Sequence, residues 1–154
     1  MTLTDKDSSE LPTGASTAAA SGPAAIIYVC ITCRGAGGAE IRPLPGERLA
    51  AATASAALGS GIEVRAVRCL ANCSRGPSAA MRRAGSGNGN DSSNDSWTYI
   101  FGGLDAAHAP ALVLGARMLA QAADGILPWR GRPDVLKRGL IGRVPPLGYK
   151  EDRE

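Results

Sequence analysis

The sequence predicts one α/β domain whose elements follow the order β-α-β-β-β-α. Two stretches of strand character, 25–30 and 62–68, flank an alanine-rich stretch that carries the start and stop signals of a helix. Two more strand-like stretches and a second helical stretch follow. Because a helix that connects consecutive strands makes them parallel neighbours, we expect the first two strands to lie side by side. The 154 residues are enough for one domain of ordinary size.

The first half of the chain contains this βαβ unit. Residues 25–30 are mostly β-branched or aromatic and end at the first cysteine, which indicates a strand. Proline can occupy the first helical position, so a helix is predicted from Pro45 to about Leu58, with Gly59 as its stop. Residues 62–68 are predicted to form a half-buried strand, because apolar and charged side chains alternate through 62–66 and the stretch continues to Arg68 before the next cysteine.

The second half of the domain is predicted to contain a hairpin and a helix. Residues 77–83 and 97–101 indicate two antiparallel strands, joined by a flexible Gly/Asn/Ser-rich linker at 85–94. A helix follows from about Asp105, its N-cap, to Gly125. Its apolar face is predicted to carry Leu112, Val113, Ala116, Leu119, Ala120 and Ala123.

The two ends of the chain are predicted to lie outside the domain, which spans 25–127. Residues 1–24 are rich in Ser, Thr, Ala, Gly and Pro and show no apolar period, so we expect a disordered tail. Residues 128–154 are predicted to form an extended C-terminal arm. Four apolar residues are expected to pack this arm on the domain: Trp129, Leu136, Leu140 and Ile141.

Composition and charge exclude several classes of function. The net charge of +3 is small and scattered, which argues against nucleic-acid binding and suits an acidic protein partner better. The chain has no run of 18 apolar residues, so we expect no membrane span. The polar, acidic N-terminus lacks the order of a secretory signal, and a cytoplasmic location is predicted. In a reducing compartment, paired cysteines are more often metal ligands or catalytic thiols than disulfides.

The four cysteines form the pattern Cys-x2-Cys-x35-Cys-x3-Cys, at Cys30, Cys33, Cys69 and Cys73. Each pair follows a strand of the βαβ unit, and the carboxyl ends of parallel strands meet at one edge of the sheet. We therefore expect the four thiols to converge. Four thiolates suit either tetrahedral Zn²⁺ or an iron–sulfur cluster, and the residues themselves leave this choice open. A third hypothesis is a dithiol oxidoreductase that uses Cys30 and Cys33 as its reactive thiols.

Other residues point to no catalytic site. His108 is the only histidine, which excludes a Rieske-type centre, and it is interpreted as a surface residue in the first turn of a helix. The acidic residues show no paired arrangement for acid–base catalysis, and no phosphate-binding glycine motif follows a strand. Arg34, Arg68 and Arg75 flank the cysteines, where they either offset the negative charge of a metal–thiolate centre or are solvated surface charges.

The element order and the cysteine pattern resemble the thioredoxin-like [2Fe-2S] ferredoxins and the related peripheral subunit of respiratory NADH dehydrogenases. The segments 29–34, 69–73 and 143–146, with Gly76-Pro77, look more closely like a bacterial family of predicted metal-binding proteins often encoded near cobalamin-biosynthesis genes. The chain departs from these ferredoxins at its first pair, where two residues separate the cysteines instead of four or more.

The resemblance implies a thioredoxin-like domain with one [2Fe-2S] cluster on Cys30, Cys33, Cys69 and Cys73, one iron held by each pair. It further implies an electron carrier that serves another enzyme through a protein redox partner, and is not itself an enzyme. Zn²⁺ bound for a structural or metal-handling purpose stays the alternative. The sequence leaves the question of homodimer formation open.

Overall fold

The computed structural model describes residues 22–34, 42–84, 96–146 and 149 of the chain. Within this part the strands are β1 (Ala25–Cys30), β2 (Ile62–Val67), β3 (Ala79–Arg83), β4 (Thr98–Phe101) and β5 (Leu140–Val144). The helices are α1 (Pro45–Ala56), α2 (Ala109–Gln121) and α3 (Asp134–Arg138), with 3-10 turns at Cys73–Arg75 and Ala106–His108.

The strands form one sheet in the order β2-β1-β3-β4-β5. β1 and β2 are parallel and joined by α1, as the βαβ unit requires, whereas the other neighbouring strands pair antiparallel. The predicted α/β class is confirmed, and so is the predicted order of the first six helices and strands, β-α-β-β-β-α. The register places Cys30, the last residue of β1, opposite Val67, the last residue of β2.

The hydrophobic core lies between one face of the sheet and the two longer helices. Alternate residues of the strands are buried on this face, among them Ile27, Met81 and Phe101. Helices α1 and α2 contact each other and both contact β1, so they cover the same face. Leu49 from α1 and Leu112 from α2 are fully buried there, and each such side chain contributes about 1.5–3 kcal/mol to the free energy of folding.

Both main helices are shorter than predicted. α1 ends at Ala56 rather than near Leu58, because the chain turns there through Gly59 and Gly61, which both have positive φ. Leu58 is 81% exposed as a result.

The second helix also starts and ends inside its predicted range. The Asp105 carboxylate accepts the Ala107 N–H at 2.8 Å and caps the 3-10 turn that precedes α2. α2 ends at Gln121, and Ala123, predicted on its buried face, is exposed in the following turn. Leu112, Val113, Ala116 and Leu119 are buried as predicted, and Ala120 is half-buried.

The segment from residue 128 is not the extended arm that the sequence predicts. It contains α3 and then β5, which pairs antiparallel with β4 and extends the sheet by one strand. Leu136 is fully buried, while Trp129, expected to anchor the segment, is 62% exposed. Leu140 is half-buried and Ile141 is exposed.

Two buried side chains, Leu136 and Arg132, fix the course of this segment. Leu136 packs where α2 carries Gly115, and a side chain at Gly115 would collide with it. Arg132 is buried and its guanidinium donates to Leu127 O at 2.6 Å and to Pro128 O at 3.1 Å. Single-sequence periodicity does not reveal either contact, because both depend on partners distant in the chain or on backbone carbonyls.

Other sequence predictions lie outside the described residues. These are the disordered tail, apart from residues 22–24, and the linker at 85–94. Among the helices of the described part, none combines the length and the apolar content that crossing a bilayer requires.

We predict that Leu136→Ala lowers the free energy of unfolding by about 2–5 kcal/mol, because it leaves a cavity under α3. Leu58→Ala is the matched control, since the same substitution at an exposed leucine should change stability by no more than about 0.5 kcal/mol. Urea unfolding of both variants measures the difference. Equal stabilities would mean that α3 and β5 do not pack on the domain in solution.

Candidate metal centre

The two cysteine loops leave the same edge of the sheet. β1 ends at Cys30, and β2 ends at Val67, two residues before Cys69. The parallel register sets these strand ends side by side, and Ile31 N–H donates to Val67 O at 2.9 Å just beyond them. The βαβ topology therefore brings loops together that are 35 residues apart in sequence.

The first cysteine pair is buried. Cys30 and Cys33 are 1% and 2% exposed, and their sulfur atoms lie 3.1 Å apart. The backbone around them is held on two sides, since Cys30 N–H donates to Ser78 O at 3.0 Å and Gly46 N–H donates to Cys33 O at 3.1 Å. A side chain at Gly46 would collide with Cys30 O, so the first turn of α1 can approach this loop only as glycine.

The second cysteine pair is exposed. The sulfur atoms of Cys69 and Cys73 lie 4.0 Å apart, and Cys73 begins a 3-10 turn. Ala71, between them, has φ +60, a left-handed conformation that costs a residue with a side chain about 1–2 kcal/mol. This conformation directs Ala71 N–H to Cys69 Sγ at 3.1 Å. The unfavourable backbone conformation of Ala71 therefore orients its N–H towards the sulfur of Cys69.

The two loops touch each other. Cys30 Sγ lies 3.5 Å from Arg68 O, and the Thr32 hydroxyl donates to the same carbonyl. On the other side, a Cβ atom at Gly76 would lie 2.7 Å from Cys33 Sγ, so the chain that leaves Cys73 passes directly over Cys33. The buried pair is therefore covered by the backbone that carries the exposed pair.

The thiols of the buried pair differ in acidity. Burial raises the pKa of Cys30, but hydrogen bonds from the Cys33 thiol, from Thr32 and from Leu70 N–H outweigh burial and lower it overall. Burial, and then the hydrogen bond to Cys30, raises the pKa of Cys33 to about 12. Cys30 is therefore the more acidic thiol of the pair, and a bound cation would have to displace the proton of Cys33.

At the exposed pair, the hydrogen bond with Cys69 raises the pKa of Cys73, and the charge of Cys69 adds to it. The charge of Cys30 contributes in the same direction, as expected when the two pairs lie close together.

The sulfur separation of the exposed pair fits one metal ion. Two thiolates bound to one tetrahedral ion at about 2.3 Å lie about 3.8 Å apart. The exposed pair, at 4.0 Å, matches this separation, whereas the buried pair, at 3.1 Å, is closer because the Cys33 thiol donates a hydrogen bond to Cys30 Sγ. Within the described residues, no three His, Cys, Asp or Glu side chains come together as ligands for a single ion. The structure places the four predicted cysteines as two pairs in contacting loops, and their convergence on one centre stays a prediction.

The other predicted residues keep structural or surface positions. His108 Nδ1 accepts Asp105 N–H at 3.1 Å at the start of a helix, as interpreted from the sequence. Arg34, Arg68 and Arg75 are exposed beside the cysteines. Sequence reasoning missed the backbone of Gly46 and Ser78, whose roles depend on tertiary packing. The Gly-Pro dipeptide at 76–77 was the one local sign in the sequence that the backbone takes a constrained course after the second cysteine pair.

The chain was compared with protein families, with curated proteins and with solved structures. The model of a family described as "Protein of unknown function (DUF1636)" matches residues 27–146. No curated protein matches the chain. Two solved structures with a similar course are of a thioredoxin-like [2Fe-2S] ferredoxin from Aquifex aeolicus. One is 11% identical with a TM-score of 0.48, over 84% of this chain and 100% of its own. The other, of the wild-type protein, is 13% identical with a TM-score of 0.42, over 79% and 99%.

We predict that iodoacetamide separates the cysteines of the metal-free, reduced protein into two classes. Cys69 and Cys73 are exposed and should both react readily, Cys73 more slowly than a free thiol because its pKa is raised. Cys30 and Cys33 should react at least about tenfold more slowly than either, because burial excludes the reagent. Mass spectrometry of peptides after timed quenching measures each rate. Four equal rates would contradict the burial of the first pair.

Proposed function

We propose that this chain, which belongs to the DUF1636 family, binds one [2Fe-2S] cluster through Cys30, Cys33, Cys69 and Cys73 and carries electrons for another enzyme. The observation that carries the proposal is the arrangement of the four sulfurs as two pairs, 3.1 Å and 4.0 Å across, in contacting loops at one sheet edge. A centre with two metal ions, each held by two cysteines, fits two such pairs.

The donor set suits this group. Thiolate sulfur is the ligand that iron–sulfur clusters take, and the four cysteines are the only ones in the chain. When bound, such a cluster supplies one-electron oxidation and reduction. The chain supplies N–H donors from Ala71 and Leu70 to Cys69 and Cys30, and the nearby guanidinium groups of Arg68 and Arg75 add positive charge. Both effects favour a more negative centre and so raise its reduction potential.

The unequal burial of the two pairs suits electron transfer to another protein. The buried pair, Cys30 and Cys33, shields one side of the site from water, while Cys69 and Cys73 face the solvent. A redox partner would therefore approach over the second loop. The acidic character of that partner, the cytoplasmic location, a homodimer and the connection with cobalamin biosynthesis stay predictions.

A single zinc ion is the first alternative. One tetrahedral Zn²⁺ requires all four sulfurs to lie about 3.8 Å from one another. Among the described residues, the sulfur contacts of 3.1 Å and 4.0 Å lie within the two pairs, and no three ligand side chains come together around one ion. The pairwise arrangement favours two metal ions over one.

A dithiol oxidoreductase is the second alternative, and the acidity of the first pair favours it. A lowered pKa at Cys30 beside a raised pKa at Cys33 is typical of a reactive dithiol. A disulfide substrate must, however, reach the sulfur that attacks it, and Cys30 is 1% exposed. The pair also lies in a loop, and α1 begins twelve residues after Cys33, whereas reactive dithiols usually open a helix. Burial therefore argues against this activity.

We expect protein purified without oxygen to be brown, with charge-transfer absorption in the visible range and about two iron and two sulfide ions per chain. Reduction with dithionite should produce a spin signal with one unpaired electron per cluster. Absorption, metal analysis and electron paramagnetic resonance measure these properties. A colourless protein with stoichiometric zinc, or a metal-free protein that reduces disulfides, would overturn the proposal.

We predict that serine at any one of the four cysteine positions reduces cluster content at least about tenfold, because each pair would lose half of its ligands. Ser74→Ala is the matched control, since it changes an exposed side chain next to Cys73 without removing a thiolate. Iron and sulfide analysis of the five variants, with circular dichroism to verify folding, provides the comparison. Full cluster content in folded Cys30→Ser or Cys33→Ser would remove the first pair from the site.

A further inference from the structure

A cleft of about 740 Å³ opens beside the cysteine loops. One wall is the turn that follows Cys73, with Ser74 and Arg75, and the opposite wall is the C-terminal segment, with Asp134 and Arg138 of α3. Its volume lies within the range of about 300–1,000 Å³ that is usual for small-molecule sites. The cleft exists only because the C-terminal segment folds back onto the domain.

The base of the cleft is tightly connected backbone. Gly102 N–H donates to Gly139 O at 2.8 Å, and Gly103 N–H donates to Arg75 O. A Cβ atom at Gly102 would lie 2.7 Å from Arg75 O, and one at Gly139 would lie 2.8 Å from Gly102 O. These close approaches join the two walls through main-chain contacts, so the arginines that line the cleft are attached to a preformed frame.

The side chains that line the cleft are mainly positive or hydrogen-bond donors. Arg75 and Arg138 both line it, and within the described part of the chain neither forms an ion pair. Asp134 also lines the cleft, four residues before Arg138 in α3, yet these two do not pair. His108 accepts a backbone N–H at Nδ1, which leaves Nε2 as the ring nitrogen that can donate a hydrogen bond.

We infer that this cleft binds a small organic or inorganic oxyanion, a carboxylate or a phosphate. Guanidinium groups recognise both through paired N–H donors. Arg75 and Arg138, which form no ion pair within the described residues, provide more positive charge than Asp134 offsets. The concave shape favours a small ligand over the surface of an acidic protein. The inference does not depend on a cluster at the cysteines, although the cleft adjoins Cys73.

The test is isothermal titration calorimetry of the full-length protein, as purified, at low ionic strength. The protein is titrated with inorganic phosphate and, separately, with citrate. We expect saturable binding of at least one of the two anions, and the tighter one identifies the phosphate or carboxylate class. Arg75→Gln and Arg138→Gln should each weaken it at least about tenfold, the loss expected for one charge-assisted hydrogen bond. Arg117→Gln, an exposed arginine of α2 outside the cleft, should bind as the unaltered protein does.

Three outcomes would overturn the inference. These are no saturable binding of either anion, equal weakening by Arg117→Gln, and binding of a polyglutamate peptide without binding of either small anion. The last result would assign the face to an acidic protein. Iron and sulfide are measured in the same samples, so failure of the cluster proposal is distinguished from failure at the cleft. If Arg75→Gln and Arg138→Gln lose anion binding while their iron and sulfide contents are unchanged, the cleft is the anion site and it acts independently of the metal centre.

Discussion

The parallel pairing of β1 with β2 is the constraint on which the rest of the molecule depends. It requires a crossover, which α1 supplies, and it sets Cys30 opposite Val67 at one edge of the sheet. Without this pairing the two cysteine motifs would be independent loops separated by 35 residues. Gly46 shows how closely the crossover is matched to the site, because the first turn of α1 reaches Cys30 only where no side chain intervenes.

The two cysteine pairs are chemically unequal because their surroundings differ. Cys30 and Cys33 lie under the backbone that passes through Gly76, and burial makes a second charge there costly, so the pair retains a proton. Cys69 and Cys73 lie in a solvent-facing turn whose strained residue, Ala71, donates to sulfur. A positive centre held by these thiolates would displace the proton of Cys33 and bind Cys69 Sγ, towards which Ala71 N–H points.

The C-terminal segment connects the sheet to the surroundings of the site. β5 adds a strand beside β4, and α3 is held by the burial of Leu136 against α2 at Gly115. The same folding back places Arg138 across a cleft from Arg75, close to Cys73. One packing event therefore completes the sheet and creates a positively charged cleft next to the cysteines.

The sequence by itself determined the α/β class, the βαβ unit and the four candidate ligands, because periodicity, helix signals and cysteine spacing are local properties. It placed the starts of β1, α1 and β2 at the observed residues. It could not reveal that 128–154 holds a helix and a strand, because α3 has five residues and depends on distant partners for its burial. Only the tertiary structure decided which cysteines are buried and that Arg75 and Arg138 share a cleft. It also showed that the backbone at Gly46 and Gly76 packs against the first cysteine pair, where a side chain would collide. Those properties arise from contacts between segments far apart in the chain, where no local pattern records them.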